Sequence, residues 1–134
     1  MSKIEAVLFD LDGTLLDSFP DFLESLENIN INSSSKKIDE SIVRANVSDG
    51  SSKLLKLVFD IDANDEGFDE HKRNFLNEYE KNILMYGNLF HGVSDLLNFL
   101  LDKKIPYGIV TNKPRKYTET VSYTHLTLPT MYTV

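Results

Sequence analysis

Two acidic side chains near the N-terminus are the residues of this sequence best placed to do chemistry. Asp10 and Asp12 follow the apolar run 4–9, and Gly13 and Thr14 come directly after them. Residues two apart in extended backbone point to the same side, so both carboxylates would leave the strand together. Gly13 allows a sharp turn and the close approach of a ligand to the backbone, and Thr14 adds a hydroxyl. This pattern predicts a metal and phosphate site at the end of a strand.

A second polar pair, Thr111 and Asn112, follows another apolar run, 105–110. In open α/β sheets, ligands bind outside the carboxyl ends of the strands. If the two runs are neighbouring parallel strands, this pair faces the same crevice as Asp10. On its own the pair could also be an ordinary turn at the end of a strand, and the adjacent Lys113 is expected to be solvated.

Helical patterns fill the chain between the two runs. Apolar residues recur at spacings of three and four in the segments 17–29, 38–45, 54–59, 71–86 and 93–101. Both strand runs are short and almost wholly apolar, which is typical of strands buried on both faces. A strand, a helical block, a crossover helix and a second strand predict an α/β fold with a parallel sheet, into which the helical block is inserted after the first strand.

Two segments resemble the signatures of a known family. Residues 7–18 read VLFDLDGTLLDS and resemble the first signature of the haloacid dehalogenase superfamily of phosphatases. Residues 109–114 read IVTNKP and resemble its second signature, in the form typical of phosphoglycolate phosphatases and close relatives. The resemblance extends from residue 4 to about residue 119. It implies an incomplete Rossmann-like parallel sheet core, residues 1–16 and 88–120, with a helical cap, residues 17–87.

The resemblance also implies roles for the residues of both clusters. Asp10 would attack phosphorus as the nucleophile, and Asp12 would protonate the leaving group and then activate water. A Mg²⁺ ion held by the Asp10 carboxylate and the Asp12 backbone carbonyl would neutralise the phosphate. The phosphate-binding residues would be Gly13, Thr14, Thr111 and Asn112. The implied reaction is Mg²⁺-dependent hydrolysis of a small phosphomonoester through an aspartyl-phosphate, with 2-phosphoglycolate as the leading substrate.

Other functions are compatible with these residues. A pyrophosphatase or a sugar-phosphate mutase of the same superfamily is the main alternative, because the cap selects the substrate. A non-catalytic module that binds a metal ion or phosphate is an alternative from another class. The segment 60–64 begins like a calcium loop, but Asp65 stands where such a loop needs Gly and His71 where it needs Glu, so we expect no calcium site.

Composition excludes several classes of partner. The chain has 134 residues, with 14 Lys and Arg against 21 Asp and Glu and a formal net charge of -7. This charge repels nucleic acid and anionic membranes, so we expect neither as a partner. The partner that the family resemblance implies is a small phosphorylated metabolite. No apolar run reaches the roughly 18 residues of a membrane span, and no signal peptide is recognisable. Because there is no cysteine, a cytoplasmic location is expected.

The end of the chain departs from the family pattern. That pattern requires a later phosphate-binding Lys and an acidic pair for the metal, but no Lys, Arg, Asp or Glu follows Glu119. Residues 121–130 read VSYTHLTLPT, which is identical to one reading frame of a transposase adapter used in DNA library preparation. A sample index would then supply most of residues 131–133, and the adapter that follows encodes Val134 and a stop codon. We hypothesise that this tail is translated adapter and that the reading frame is a phosphatase gene cut short. On this hypothesis we expect the chain to fold poorly and to lack phosphatase activity.

Overall fold

Short strands alternate with helices along the computed structural model, which describes residues 2–30, 36–125 and 130–133. In chain order the elements are β1 Val7–Phe9, β2 Leu16–Asp17, α1 Phe19–Asn30, α2 Glu40–Ala45, a 3₁₀ turn Val47–Asp49, α3 Ser51–Phe59, α4 Phe68–Asn82, β3 Asn88–Leu89, α5 Val93–Asp102, β4 Tyr107–Thr111, α6 Arg115–His125 and β5 Thr130–Thr133. The chain divides into two units: Met1–Asp17 with Asn88–Val134, and the insertion Ser18–Gly87. Within the described ranges, no helix has both the length and the apolar character needed to cross a bilayer.

The first unit is built on a parallel sheet in the order β1-β4-β5. β1 pairs with β4 from Val7 opposite Tyr107 to Phe9 opposite Ile109, so the carboxyl ends of both strands lie at the same edge. All residues of β4 except Val110 are buried, as expected of a strand in the interior of a sheet. The α/β fold with a parallel sheet is therefore confirmed.

The strand β1 differs from the prediction of a strand buried on both faces. It begins at Val7 rather than Ile4, and the side chains of Ile4 and Leu8 are 65% and 62% exposed. Among the described strands, β1 has a partner on one side only. An apolar run predicts that a strand forms, but it does not indicate whether that strand has neighbours on both sides.

A short antiparallel ladder joins the places where the chain leaves and re-enters the first unit. β2 and β3 pair Leu16 with Leu89 and Asp17 with Asn88. The two connections to the insertion therefore start from adjacent backbone positions.

Helices α1 and α4 carry the aromatic core of the insertion. Phe22 of α1 packs on Phe75 and Tyr79 of α4, with ring centroids 6.1 and 4.7 Å apart. All three rings are buried. Further fully buried apolar side chains of the insertion are Leu26, Val43, Leu54 and Leu55. Removal of these apolar faces from water stabilises the unit at roughly 25 cal/mol per Å² buried.

Helix α4 ends at Asn82, before the end at Tyr86 that its apolar periodicity predicts. Leu84 has a φ of +60°, a left-handed conformation that stops a helix. The carboxylate of Asp21, in α1, accepts the N–H groups of Leu84, Tyr86 and Gly87 at 3.1, 2.9 and 3.1 Å. Asp21 is only 1% exposed, so these bonds satisfy a buried carboxylate and three backbone donors together.

Candidate active site

The turn after β1 contains the first cluster predicted from the sequence. The carbonyl of Leu11 accepts the N–H groups of Thr14, Leu15 and Leu16 at 3.0 to 3.2 Å. Gly13 has a φ of +80°, a backbone angle that residues with a side chain rarely adopt. Its N–H donates to the Leu16 carbonyl at 2.8 Å. The N–H groups of Gly13 and Thr14 are thus used within the turn. Thr14 is exposed, so its hydroxyl is the donor that it offers to a ligand.

Asp10 lies between β1 and this turn and is partly exposed. Its Oδ1 accepts the N–H of Leu11 at 2.8 Å, which orients the carboxylate. Within the described residues, Oδ2 of Asp10 has no hydrogen-bond partner. One oxygen is therefore held in place while the other can act on a ligand.

Asp12 is buried and forms an ion pair with Lys113, which follows β4. The Nζ atom of Lys113 lies 2.9 Å from Oδ1 and 3.2 Å from Oδ2 of Asp12. The side chains of Lys113 and Asp12 are 2% and 7% exposed. The expectation that Lys113 is solvated is therefore wrong. The physical reason is that its partner lies 101 residues earlier in the chain, in the turn after β1, so the residues around Lys113 contain no sign of the pair.

Two threonine hydroxyls hold the backbone of Lys113. Oγ1 of Thr111 accepts the Lys113 N–H at 3.1 Å. Oγ1 of Thr118, in α6, donates to the carbonyl of Lys113 at 3.3 Å or to that of Pro114 at 3.2 Å. Because the Thr111 oxygen acts as acceptor here, its own proton remains available to a ligand. Neither Lys113 nor Thr118 is predicted as a site residue by the local pattern; the one available signal was the position of Lys113 within the TNKP motif.

Parallel pairing places the two predicted clusters at one edge of the sheet. Asp10 and Thr111 stand at the same ends of neighbouring strands. The ion pair between Asp12 and Lys113 joins the turn after β1 directly to the turn after β4. Asn112 lies in the second of these turns and is exposed. The predicted site residues of the first unit therefore belong to one region.

The donors at this edge fit a Mg²⁺ ion that retains several water ligands. Mg²⁺ takes oxygen ligands and is usually bound through one or two carboxylates together with substrate phosphate. The Asp10 carboxylate has about four lone-pair sites, of which the Leu11 N–H takes one. The carboxylate of Asp12 contacts Lys113, so the metal donor that the family resemblance assigns to Asp12 would be its backbone carbonyl. No three His, Cys, Asp or Glu side chains gather into a metal site among the described residues.

The acidic segment after α3 interacts with a lysine of the same unit. The Nζ atom of Lys56 lies 3.0 Å from Asp60 and 2.8 Å from Asp62. Hydrogen bonds to Asp62 and Asp60 raise the pKa of Lys56 above its ordinary value. These carboxylates, which resemble the start of a calcium loop in sequence, thus form exposed ion pairs within the insertion.

Comparison with models of known families shows the family to which the chain belongs. The model of the haloacid dehalogenase-like hydrolases matches residues 7–133. The chain belongs to the haloacid dehalogenase-like hydrolase family. The resemblance seen in its two sequence signatures is thereby confirmed. The matched range includes residues 121–133, for which translated adapter remains our hypothesis.

The curated relatives include phosphatases that are named for two different substrates. The chain is 31% identical over 119 residues to the N-acetylmuramic acid 6-phosphate phosphatase of Pseudomonas putida, a match that covers 89% of this chain and 53% of the relative. It is 39% identical over 112 residues to the phosphoglycolate phosphatase of Xanthomonas campestris pv. campestris, covering 81% of this chain and 49% of the relative. The chain thus spans about half the length of these curated relatives.

A solved structure has a similar fold. The crystal structure of a predicted phosphoglycolate phosphatase from Haemophilus somnus 129pt superposes with a TM-score of 0.82, over 99% of this chain and 64% of that chain. The sequences are 22% identical, so the likeness concerns the fold alone. It confirms the Rossmann-like α/β class predicted from the sequence.

Proposed function

We propose that the protein to which this chain belongs hydrolyses small phosphomonoesters in the cytoplasm, with Asp10 as nucleophile and Asp12 as general acid and base. The proposal rests on the meeting of two polar clusters at one sheet edge, where Lys113 bridges to Asp12. Membership of the family and the phosphatases among its relatives support the same type of reaction.

Asp10 carries out the first step. Its Oδ2, which has no hydrogen-bond partner within the described residues, forms a bond to phosphorus while the bond from phosphorus to the substrate oxygen breaks. For this step Asp12 carries a proton, as a carboxylic acid that can still accept a hydrogen bond from the Lys113 ammonium through an oxygen lone pair. The proton passes to the departing oxygen, so that an alcohol leaves and an aspartyl-phosphate remains on Asp10.

Water completes the reaction. Asp12, now a carboxylate, accepts a proton from the water whose oxygen bonds to phosphorus. The bond between phosphorus and Asp10 breaks at the same time. Inorganic phosphate leaves, and both acids return to their starting states.

Both turns supply groups for the phosphate. The hydroxyls of Thr111 and Thr14 donate to its oxygens, where charge accumulates in the transition state, and Asn112 adds a side-chain amide. Gly13, without a side chain, lets the phosphate approach the turn. When bound by the Asp10 carboxylate and the Asp12 backbone carbonyl, Mg²⁺ supplies positive charge that offsets the charge of the phosphate.

The names of the relatives suggest a substrate class. Phosphoglycolate and N-acetylmuramic acid 6-phosphate both carry a phosphate ester on a hydroxyl group and a carboxyl group elsewhere in the molecule. We therefore propose a phosphorylated carboxylic acid, with 2-phosphoglycolate first because the identity of 39% is with a phosphoglycolate phosphatase. N-acetylmuramic acid 6-phosphate is the second candidate, favoured by a match that covers 89% of the chain.

In this proposal residues 1–16 and 88–120 form the catalytic core, and residues 17–87 form the cap that selects the substrate.

The test is an Asp10→Asn substitution in the protein extended to the natural end of its reading frame. We expect the wild type to release phosphate from 2-phosphoglycolate with Mg²⁺, and Asp10→Asn to lower kcat by at least about 10³-fold, because the nucleophile is lost. Asp102→Asn, the same change at an exposed residue of α5, is the matched control and should keep full activity. Unchanged turnover in Asp10→Asn would contradict the assignment. A wild type that binds phosphate without turnover would instead support the non-catalytic module.

A further inference from the structure

The buried ion pair of the first unit has no assigned role in the reaction outlined above. We propose that Lys113 is a positioning residue, which holds the carboxyl group of Asp12 in the orientation needed for proton transfer. This inference rests on the proposed phosphatase function, because it concerns the same site.

The burial of the pair argues for a specific role. The side chains of Lys113 and Asp12 are 2% and 7% exposed, so both charges are removed from water. Such pairs contribute little net stability, because the loss of hydration offsets most of their attraction. Two apolar side chains of similar size would stabilise the same place as well. A buried pair at the carboxyl ends of two strands, where ligands bind in such sheets, is therefore better explained by the site than by the fold.

The backbone of Lys113 is held on both sides. Thr111 accepts its N–H at 3.1 Å, and the Thr118 hydroxyl donates to its carbonyl at 3.3 Å or to the adjacent carbonyl of Pro114 at 3.2 Å. The ammonium therefore reaches Asp12 from a fixed starting point. Since Thr111 belongs to β4 and Thr118 to α6, the position of Lys113 is determined by two different elements.

The ammonium contacts both oxygens of Asp12, at 2.9 and 3.2 Å. Two contacts from one ammonium to the two carboxylate oxygens fix the direction in which the group faces, and proton transfer depends on such alignment. Asp10, by contrast, is held by the Leu11 N–H at one oxygen only. Lys113 thus distinguishes the two acids: the one that transfers protons is oriented through both oxygens, and the one that attacks phosphorus keeps one oxygen without a hydrogen bond.

The experiment compares Lys113→Met with wild type in the protein extended to the natural end of its reading frame. Methionine has a similar length and no charge. We expect kcat for 2-phosphoglycolate to fall about 100-fold, because Asp12, the general acid and base, is misaligned. KM should change by at most about threefold, because no contact with the substrate is lost. Lys113→Gln, whose amide can donate to one carboxylate oxygen, should lie between the two. Lys103→Met removes an exposed lysine and is the control with unchanged kcat.

A second measurement keeps the inference testable if Lys113→Met does not fold. In ¹⁵N-lysine-labelled wild type, the Lys113 ammonium should give a slowly exchanging NMR signal at neutral pH, because it is buried and bonded; rapid exchange would overturn the inference. A variant that folds and keeps wild-type kcat would also overturn it. A rise in KM with unchanged kcat would make Lys113 a substrate-binding residue and reject the positioning role. Absence of turnover in the wild type would instead reject the proposed function, together with any role of Lys113 in it.

Discussion

At the residue scale, Thr111 combines two tasks in one hydroxyl. It accepts the N–H of Lys113 at 3.1 Å and has a proton to donate. We expect Thr111→Val to lower the free energy of unfolding by about 1–3 kcal/mol, because valine has the same shape but leaves the buried N–H without a partner. Thr111→Ser keeps the acceptor and should change stability much less. Urea unfolding of the three proteins measures the difference, and equal losses in both variants would show that packing, not the hydrogen bond, is responsible.

Asp39 carries a pH-dependent contact at the start of α2. Its Oδ1 accepts the hydroxyl of Ser41 at 2.6 Å and the N–H of Ser41 at 3.0 Å, and these bonds hold the pKa of Asp39 below its ordinary value of 3.8. The capping contribution is therefore complete above pH 3.8 and is lost as the pH falls through the lower pKa of the folded state. We expect Ser41→Ala to raise the pKa of Asp39 towards 3.8 in a ¹³C NMR titration. Ser52→Ala is the control. The same rise in the pKa of Asp39 in that variant would show that the hydrogen bonds from Ser41 are not its cause.

Local spacing was sufficient to predict where some residues lie and not what others contact. The place of Asp10 and Asp12 at the end of a strand could be predicted because an apolar run and a following glycine define that end within a few positions. The burial of Lys113 could not, because it depends on a carboxylate that folding brings from the other end of the chain. Long-range ion pairs leave no periodic trace in a sequence.

At the scale of elements, Asp21 ties the end of the insertion to its beginning. Its carboxylate accepts three N–H groups, those of Leu84, Tyr86 and Gly87. Asp21→Asn replaces a charged acceptor by a weaker neutral one, so we expect a loss of about 1–3 kcal/mol in the free energy of unfolding. Hydrogen exchange of these three amides should also become faster. Glu27→Gln, at an exposed position of α1, is the matched control. If the three amides exchange as slowly in Asp21→Asn as in the wild type, the carboxylate of Asp21 does not hold this end of the insertion.

Periodicity predicted where helices lie better than where they end. The apolar spacing of α4 continues to Tyr86, but the helix stops at Asn82, because the following amides bond to Asp21. Helix α6 was not predicted, since its buried Tyr117 and Val121 stand among polar and charged residues. Tertiary contacts override local pattern in both cases.

At the scale of the whole molecule, the origin of residues 121–134 decides what the chain can do. We expect the nucleotide sequence after codon 120 to be adapter, because the tail matches one of its reading frames to the last residue. Sequencing the gene from its source measures this directly. A genomic reading frame that encodes the same 14 residues, 121–134, would refute the hypothesis. If the frame continues differently, the 134-residue chain should release no phosphate under conditions in which the extended protein does.

The ladder between β2 and β3 has a consequence for how such proteins can be altered. Leu16 and Leu89 face each other, and Asp21 holds Tyr86 and Gly87 beside the first turn of α1, so the insertion begins and ends at neighbouring points. The entropic cost of closing a loop between neighbouring points grows only slowly with the length of the loop. The segment 18–87 is therefore suited to exchange as a unit: the helices of one relative can be grafted onto the sheet of another without a change in the strands.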